Sequence, residues 1–315
     1  SKVLQMYQQL GQGASEAARR GCRWLADAQH ASGGWGAPRS RLQEGRLTGG
    51  RLQQDRLKQD ALQQEIALQC SVEETALAVT AATGVECAPH ISCIGTPLAE
   101  LREVIRRYVE VGITRVVALR CDMPSGLTGF GELRYASELV AFIRQEAGRA
   151  FHIEVAAYPE FHPQASTAAA DLQHFKAKVE AGADSAITQY FYNPDAYFRF
   201  VESCAALGVH LPIVPGIMPI TNFSQLMRFS DMCGAEVPRW IVKRLRDFGD
   251  DRASIRAFGI DVTTALCDRL LKDGAPGLHF YTMNQSEAAE AVFHNLGLRS
   301  SHGRPLVAPP PPPAD

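Results

Sequence analysis

The sequence is short of net charge, of long apolar runs and of paired metal-ligand spacings, and each shortage removes a class of function. Thirty-two Lys and Arg stand against 34 Asp and Glu, a formal charge of -2, so no strong field draws in a polyanion or an anionic membrane. No run reaches the roughly 18 consecutive apolar residues of a spanning helix. The N-terminus also lacks the basic, apolar and small-residue order of a signal peptide. These absences predict a cytoplasmic protein with a small-molecule partner, no nucleic acid and no membrane. The eight cysteines are scattered without a Cys-x-x-Cys pair or a His cluster at zinc spacing, and they read as reduced thiols with no metal. No G-x-G-x-x-G opens a helix after a first strand, which argues against a Rossmann dinucleotide site.

What is present is a large globular core. Apolar residues make up 46% of 315 positions and charged residues 21%, which excludes wholesale disorder and a coiled coil. The length suits one α/β barrel of roughly 250 residues with an extension.

From residue 85 onward, short β-rich runs alternate with helical patterns. Strands are predicted at Val85 to Ile94, Ile113 to Arg120, Phe151 to Tyr158, Ser185 to Tyr192, Leu211 to Ile217 and Gly277 to Thr282. Helices are predicted at Pro97 to Val111, Tyr135 to Gly148, Ala165 to Ala181 and Pro194 to Leu207, with several more from Asn222 to Asp273. Alternation of this kind makes parallel strands joined by crossover helices, closed as a barrel or open as a doubly wound sheet. Polar residues decide for the barrel, because they gather where strands end: Arg120 and Asp122, Tyr158, Glu160 and His162, Gln189 and Tyr192, Tyr281 and Asn284. Functional groups at the carboxyl ends of several strands form a TIM-type barrel mouth.

Six strand-helix modules are visible where a closed barrel has eight, so the expected fold is a TIM-type (β/α) barrel lacking its first two units, preceded by an α-helical segment. Residues 1–40 read as helical and end in a Gly-Trp turn. Residues 41–82 combine a low-complexity linker, whose Arg-Leu pairs recur every five residues from 41 to 56, with a helical pattern from 61. A five-residue period walks around a helix and makes no apolar stripe. Residues 83–300 form the barrel region, and 301–315, with Pro309 to Pro313, read as a disordered tail.

The strings CAPHISCIG, GITRVVALRCDMP, RYASELVAFIR, VAAYPEFHPQA, AGADSAITQYFYN, PIVPGIMPITNFSQ and LHFYTMNQ resemble methylenetetrahydrofolate reductase in order and spacing over residues 83–298. The resemblance implies an FAD-containing barrel that uses NADH or NADPH to reduce 5,10-methylenetetrahydrofolate to 5-methyltetrahydrofolate, for methionine synthesis, as a homo-oligomer. In residues 1–82, GCRWLADAQHASGGWG and QCSVEETALAVTA resemble the repeats of squalene-hopene cyclases and prenyltransferase-like proteins. The cyclase Asp-x-Asp-Asp motif is absent, so cyclase activity is not expected.

Carried over residue by residue, the resemblance sets Arg120 and Asp122 against the flavin. Asp122 is the expected catalytic carboxylate, lowering the flavin potential and stabilising a cationic iminium. His90, Tyr135, Ala136, Ala156 and His162 match flavin-contacting positions. Asp171, His174 and Lys178 are spaced i, i+3, i+7 on one helix face and match the FAD tail contacts. Gln189, Phe229 and Tyr281 match positions that hold the folate, Gln189 by hydrogen bonding to the pterin and Phe229 by stacking on the aminobenzoyl ring. Several departures accompany the match. Cys121 replaces a usual glycine, His174 an amide, Ala177 a basic residue, and Gln285 an arginine that faces the folate glutamate. The family's first-strand Phe-Glu-Phe-Phe-Pro-Pro, whose glutamate is the general acid, and its flavin-contacting Thr-Tyr-Gly-Ala are both missing from this sequence. Two other readings compete: a phosphate-handling barrel lyase, for which no strand-end lysine or late Gly-rich loop is evident, and an inactive fused fragment with an incomplete barrel.

Overall fold

A computed structural model of the chain describes residues 75–81, 85–120, 131–283 and 285–298. The expected N-terminal helix, the Gly-Trp turn, the Arg-Leu linker, Cys121, Asp122 and the proline tail lie outside the described residues.

Six strands are described: β1 (His90–Ser92), β2 (Arg115–Leu119), β3 (His152–Ala157), β4 (Ser185–Tyr190), β5 (Ile213–Ile217) and β6 (His279–Phe280). Their order in the sheet is the order of the chain, and the registers of β1 with β2, β2 with β3 and β5 with β6 are all parallel. Helices α1 (Leu98–Glu110), α2 (Ala136–Ala147), α3 (Ala168–Glu180) and α4 (Pro194–Ala206) fill the first four crossovers. Between β5 and β6 come α5 (Phe223–Cys233), α6 (Arg239–Asp247) and α7 (Arg252–Lys272), and α8 (Glu287–Asn295) closes the described chain. Sequential parallel strands with intervening helices are the wall of a TIM-type (β/α) barrel. All six predicted strands are present. The first is cut back because Pro89 has no N–H to donate, although its carbonyl still accepts from Val117 N at 3.0 Å. Residues 75–81 are helical, in keeping with the pattern read from 61 onward; α8 was not anticipated.

The chain divides into two compact units. One comprises residues up to Ala156 with Gln173–Ala186, and the other Ala157–Leu172 with Ile187 onward. In the first unit, alternation along β3 buries Ile153, Val155 and Ala157. The apolar stripes Leu101, Ile105 and Tyr108 of α1 and Leu139, Val140 and Ile143 of α2 are also buried. Its polar network sits where β3 and β4 begin. Arg144 donates to Gly182 O at 2.9 Å and Phe151 O at 2.8 Å and pairs with Asp184, which accepts from Ile153 N at 2.7 Å. His152 Nε2 lies 2.7 Å from Ser185 Oγ.

In the second unit the core is Tyr190, Tyr192, Met218, Ile220, Leu226, Ile241, Leu245 and Ile255. Asn193, Asn222 and Asp251 cap α4, α5 and α7 with side-chain oxygens that accept from helix N–H groups. Helix α7 approaches the Ile220 backbone so closely that a Cβ on Gly259 would lie 2.0 Å from Ile220 O. No described helix is long and apolar enough to cross a membrane. Gly259→Ala must push α7 off Ile220, and we expect it to lower unfolding free energy by about 3 kcal/mol, read from the denaturant midpoint; an unchanged midpoint would contradict this packing.

Candidate active site

The carboxyl end of β1 and β2 is organised around the Arg120 backbone. Arg120 O receives Ser92 Oγ at 3.3 Å and Cys93 Sγ at 4.0 Å. His90, on β1, leaves part of its ring at the surface while protein atoms crowd the rest. That desolvation lowers its pKa, with Glu154 pulling weakly the other way. Tyr135 caps α2 with 55% of its surface exposed, and Glu138 reaches back to accept from Tyr135 N at 3.1 Å. Ala136 is the first residue of that helix. On α3, Lys178 donates to the carbonyl of Ala156 at the end of β3 and lies 5.5 Å from the Phe175 ring centroid, and His174 is exposed.

In the second unit, the loop after β3 is pinned by carboxylates. Asp171 Oδ2 accepts from His162 N at 3.0 Å, and Glu160 Oε2 accepts from Glu236 N at 2.8 Å. His162 Nδ1 accepts from Gln164 N at 3.0 Å, which leaves Nε2 to carry the proton of a neutral ring. Between these anchored residues Phe161 adopts φ 60°, a left-handed conformation uncommon for a non-glycine residue.

Two of the cavities in this unit concern these residues. The larger of the two is lined by Met218, Thr221, Asn222, Phe229, Tyr281 and Gln285, among others. The smaller is lined by Tyr158, Glu160, Phe161, Gln189, Tyr190 and Cys233, among others. Phe229 and Tyr281 therefore share one cavity, and Gln189 belongs to the other. Gln189 Oε1 accepts from Tyr190 N at 3.0 Å, so its amide NH₂ is the end turned to donation. Tyr281 OH donates to Thr188 O at 2.9 Å, and burial raises its pKa above the usual 10. It presents an aromatic ring, not an acid. Tyr190 OH contacts Ser230 Oγ at 3.1 Å and Cys233 Sγ at 3.4 Å, and burial raises its pKa too. Among the described residues no cluster could hold a metal ion.

Sequence reading set Glu160 and Gly216 at strand ends but found neither the cavity wall at Glu160 nor the close approach at Gly216, and it missed Thr188. A Cβ at Gly216 would fall 2.0 Å from Thr188 O and 2.7 Å from Tyr281 Cε2, so only glycine lets the ring lie there. A polar residue just past a strand, as in Tyr-Pro-Glu, was the available signal for Glu160; for Thr188, buried in mid-strand, there was none.

Sequential parallel strands joined by crossover helices place the chain among TIM-barrel-type α/β proteins. The family profile described as methylenetetrahydrofolate reductase matches residues 67–297, taking in residues 67–82 that sequence reading set with the linker. The 5,10-methylenetetrahydrofolate reductase of Escherichia coli (strain K12) is 42% identical over 217 residues, covering 69% of this chain and 72% of that protein. A probable methylenetetrahydrofolate reductase (NADH) from Oryza sativa subsp. japonica is 38% identical over 227 residues, 68% of this chain and 38% of its own length. Among solved structures, an uncharacterized Clostridium thermocellum protein that binds two copies of 5-methyl-5,6,7,8-tetrahydrofolic acid covers 69% of this chain and 75% of its own, with TM-score 0.45 and 17% identity. The chain belongs to the methylenetetrahydrofolate reductase family.

Glu160 supplies a pH test of the smaller cavity. Burial raises its pKa above the ordinary 4.5, the Glu236 charge adds to this, and the Glu236 N–H opposes it. A raised carboxyl contributes stability that is present below the unfolded pKa and lost as pH rises through the folded one. Glu160→Gln keeps the acceptor without the charge. The stability of this variant relative to the parent should climb as pH rises from about 4.5 and then level off, measured by denaturation at several pH values; a difference independent of pH would mean that Glu160 is not desolvated.

Proposed function

We propose that this chain reduces 5,10-methylenetetrahydrofolate to 5-methyltetrahydrofolate, with FAD as the bound carrier and NADH or NADPH as reductant. The observation that carries this reading is the family match over residues 67–297. When bound, FAD supplies the two-electron relay between nicotinamide and folate. The donor set suits it. Asp171 is a half-buried carboxylate near the start of α3, able to accept from sugar hydroxyls, and Lys178 is an ammonium two turns on, suited to a pyrophosphate. Exposed Tyr135 at the start of α2, with Ala136, and His90, Arg120, Ala156, His162 and His174 complete the proposed cradle, and Asp122 is the proposed carboxylate beside the ring system.

Toward the folate, the Gln189 NH₂ donates to the pterin edge. Phe229 offers a ring to the aminobenzoyl group, and the Tyr281 ring walls the same cavity. The Tyr281 hydroxyl stays protonated and engaged with Thr188 O, which fixes the ring and keeps it out of proton transfer.

An absorbance band near about 450 nm in the purified protein tests the flavin. Asp171→Ala should weaken FAD binding by about 1 to 3 kcal/mol, read by titration of the apoprotein. Because Asp171 also holds the backbone N–H of His162, Asp171→Asn, which keeps an acceptor for that N–H without the charge, separates the two roles: flavin affinity retained in Asp171→Asn would shift the cause to the loop.

The two half-reactions make different demands on the protein. Nicotinamide-driven flavin reduction requires positioning, whereas opening the folate's five-membered ring requires a proton. This sequence has no Phe-Glu-Phe-Phe-Pro-Pro. Stopped-flow should therefore show flavin reduction preserved and folate reduction slower by about 100- to 10,000-fold than a general acid would allow. Matched rates would mean that another carboxyl supplies the proton, with Glu160 in the Gln189 cavity the first to substitute.

A further inference from the structure

The cavity lined by Phe229 and Tyr281 is neutral. None of its described lining residues is Asp, Glu, Lys or Arg; its polar groups are the hydroxyls Thr221 and Thr282, the phenol of Tyr281 and the amides Asn222, Gln225 and Gln285. Of these, the Asn222 side chain already accepts from Gln225 N at 2.8 Å. A cation stands beside this cavity: the Arg228 guanidinium lies 5.4 Å from the centroid of the Phe229 ring, and Phe229 is part of the lining.

Arg228, on α5, differs from Arg106 of α1 and Arg269 of α7, which are committed to carboxylates. Arg106 pairs with Glu103 and Glu110, and Arg269 with Asp195 and Asp273. Arg228 is exposed and has no carboxylate within ion-pair distance among the described residues. Stacking on an aromatic face leaves the guanidinium's in-plane N–H groups free to donate, in a fork that matches a carboxylate. A ligand that lays an aryl ring near Phe229 and continues through an amide to a carboxylate would bring that anion to the fork.

We propose that Arg228 is the residue that recognises the carboxylate of an aryl-amide tail, the glutamate of the folate, and so sets specificity for tailed over tail-free pterins; this rests on the folate reading above. The neutral cavity takes the aryl and amide portion, Phe229 orients both the ligand ring and the guanidinium, and the charge lies at the rim. A rim charge in water is screened, so its contribution is modest and falls with salt.

The test is calorimetric titration of the full chain, as purified with its bound cofactor, with 5-methyltetrahydrofolate and with the corresponding pteroate that lacks glutamate. The parent should bind the folate roughly 3- to 30-fold more tightly, and the gap should shrink between low and high salt. Arg228→Gln should erase the gap while leaving pteroate affinity and the denaturation midpoint unchanged, and Arg228→Lys should restore part of it. In turnover, KM for the folate should rise in Arg228→Gln with kcat little changed. A gap that survives Arg228→Gln, or an equal loss of both ligands, overturns the assignment while leaving the folate reading intact. A parent that binds neither ligand overturns that reading and the assignment with it.

Discussion

The second unit depends on a close approach at Gly216, where β5 has no side chain to keep its neighbours away. Thr188 occupies the space on one side, taking Gly216 N on its hydroxyl at 2.8 Å and Tyr281 OH on its carbonyl at 2.9 Å. The Tyr281 ring occupies the other. Any Cβ at 216 would collide with both, so the absence of one side chain seats another at the end of β6 and shapes the wall of the neutral cavity. Tyr281 N is tied to Ile217 O at 2.8 Å, which continues the β5 and β6 pairing one residue beyond the strand and holds the ring's backbone in register.

Around that frame, carboxylates hold loops and not one another. Asp171 and Glu160 each accept a backbone N–H, from His162 and Glu236, and Gly234 leaves room for Pro163, whose ring a Cβ would meet at 2.9 Å. Loops that carry binding groups need such anchors, because a side chain displaced by about 1 Å loses most of its advantage in positioning. In the first unit the ion pairs of Arg144 with Asp184 and Arg115 with Glu154 lie where strands begin or run.

The strands were legible because each is a short apolar run bounded by Gly, Pro or Asp, as in Ala-Gly-Ala-Asp before β4 and Leu-Gly-Val-His-Leu-Pro before β5. Their ends were less so: Val85 to Pro89 is β-rich yet lies outside β1, since strand bounds depend on the neighbour and on Pro89. Phe229 and Tyr281 could be picked out by resemblance, and they do line one cavity. Gln189 could be picked out as well, but nothing in its neighbours says that it faces a different cavity with Glu160. Nor does the spacing of Asp171 reveal that its carboxylate is already bound to His162 N, nine residues earlier.

The sequence by itself determined the alternation of strand and helix, the parallel order that follows from crossover helices, and the position of most polar residues just past strand ends; all three are encoded in local periodicity, which a single chain displays. Only the tertiary structure decided which polar atoms remain available to a ligand, why position 216 must be glycine, and which of the strand-end residues share a cavity. Those outcomes depend on distances between residues 28 to 93 positions apart, and no local pattern carries them, because each is set by how closely two backbones approach once both are packed.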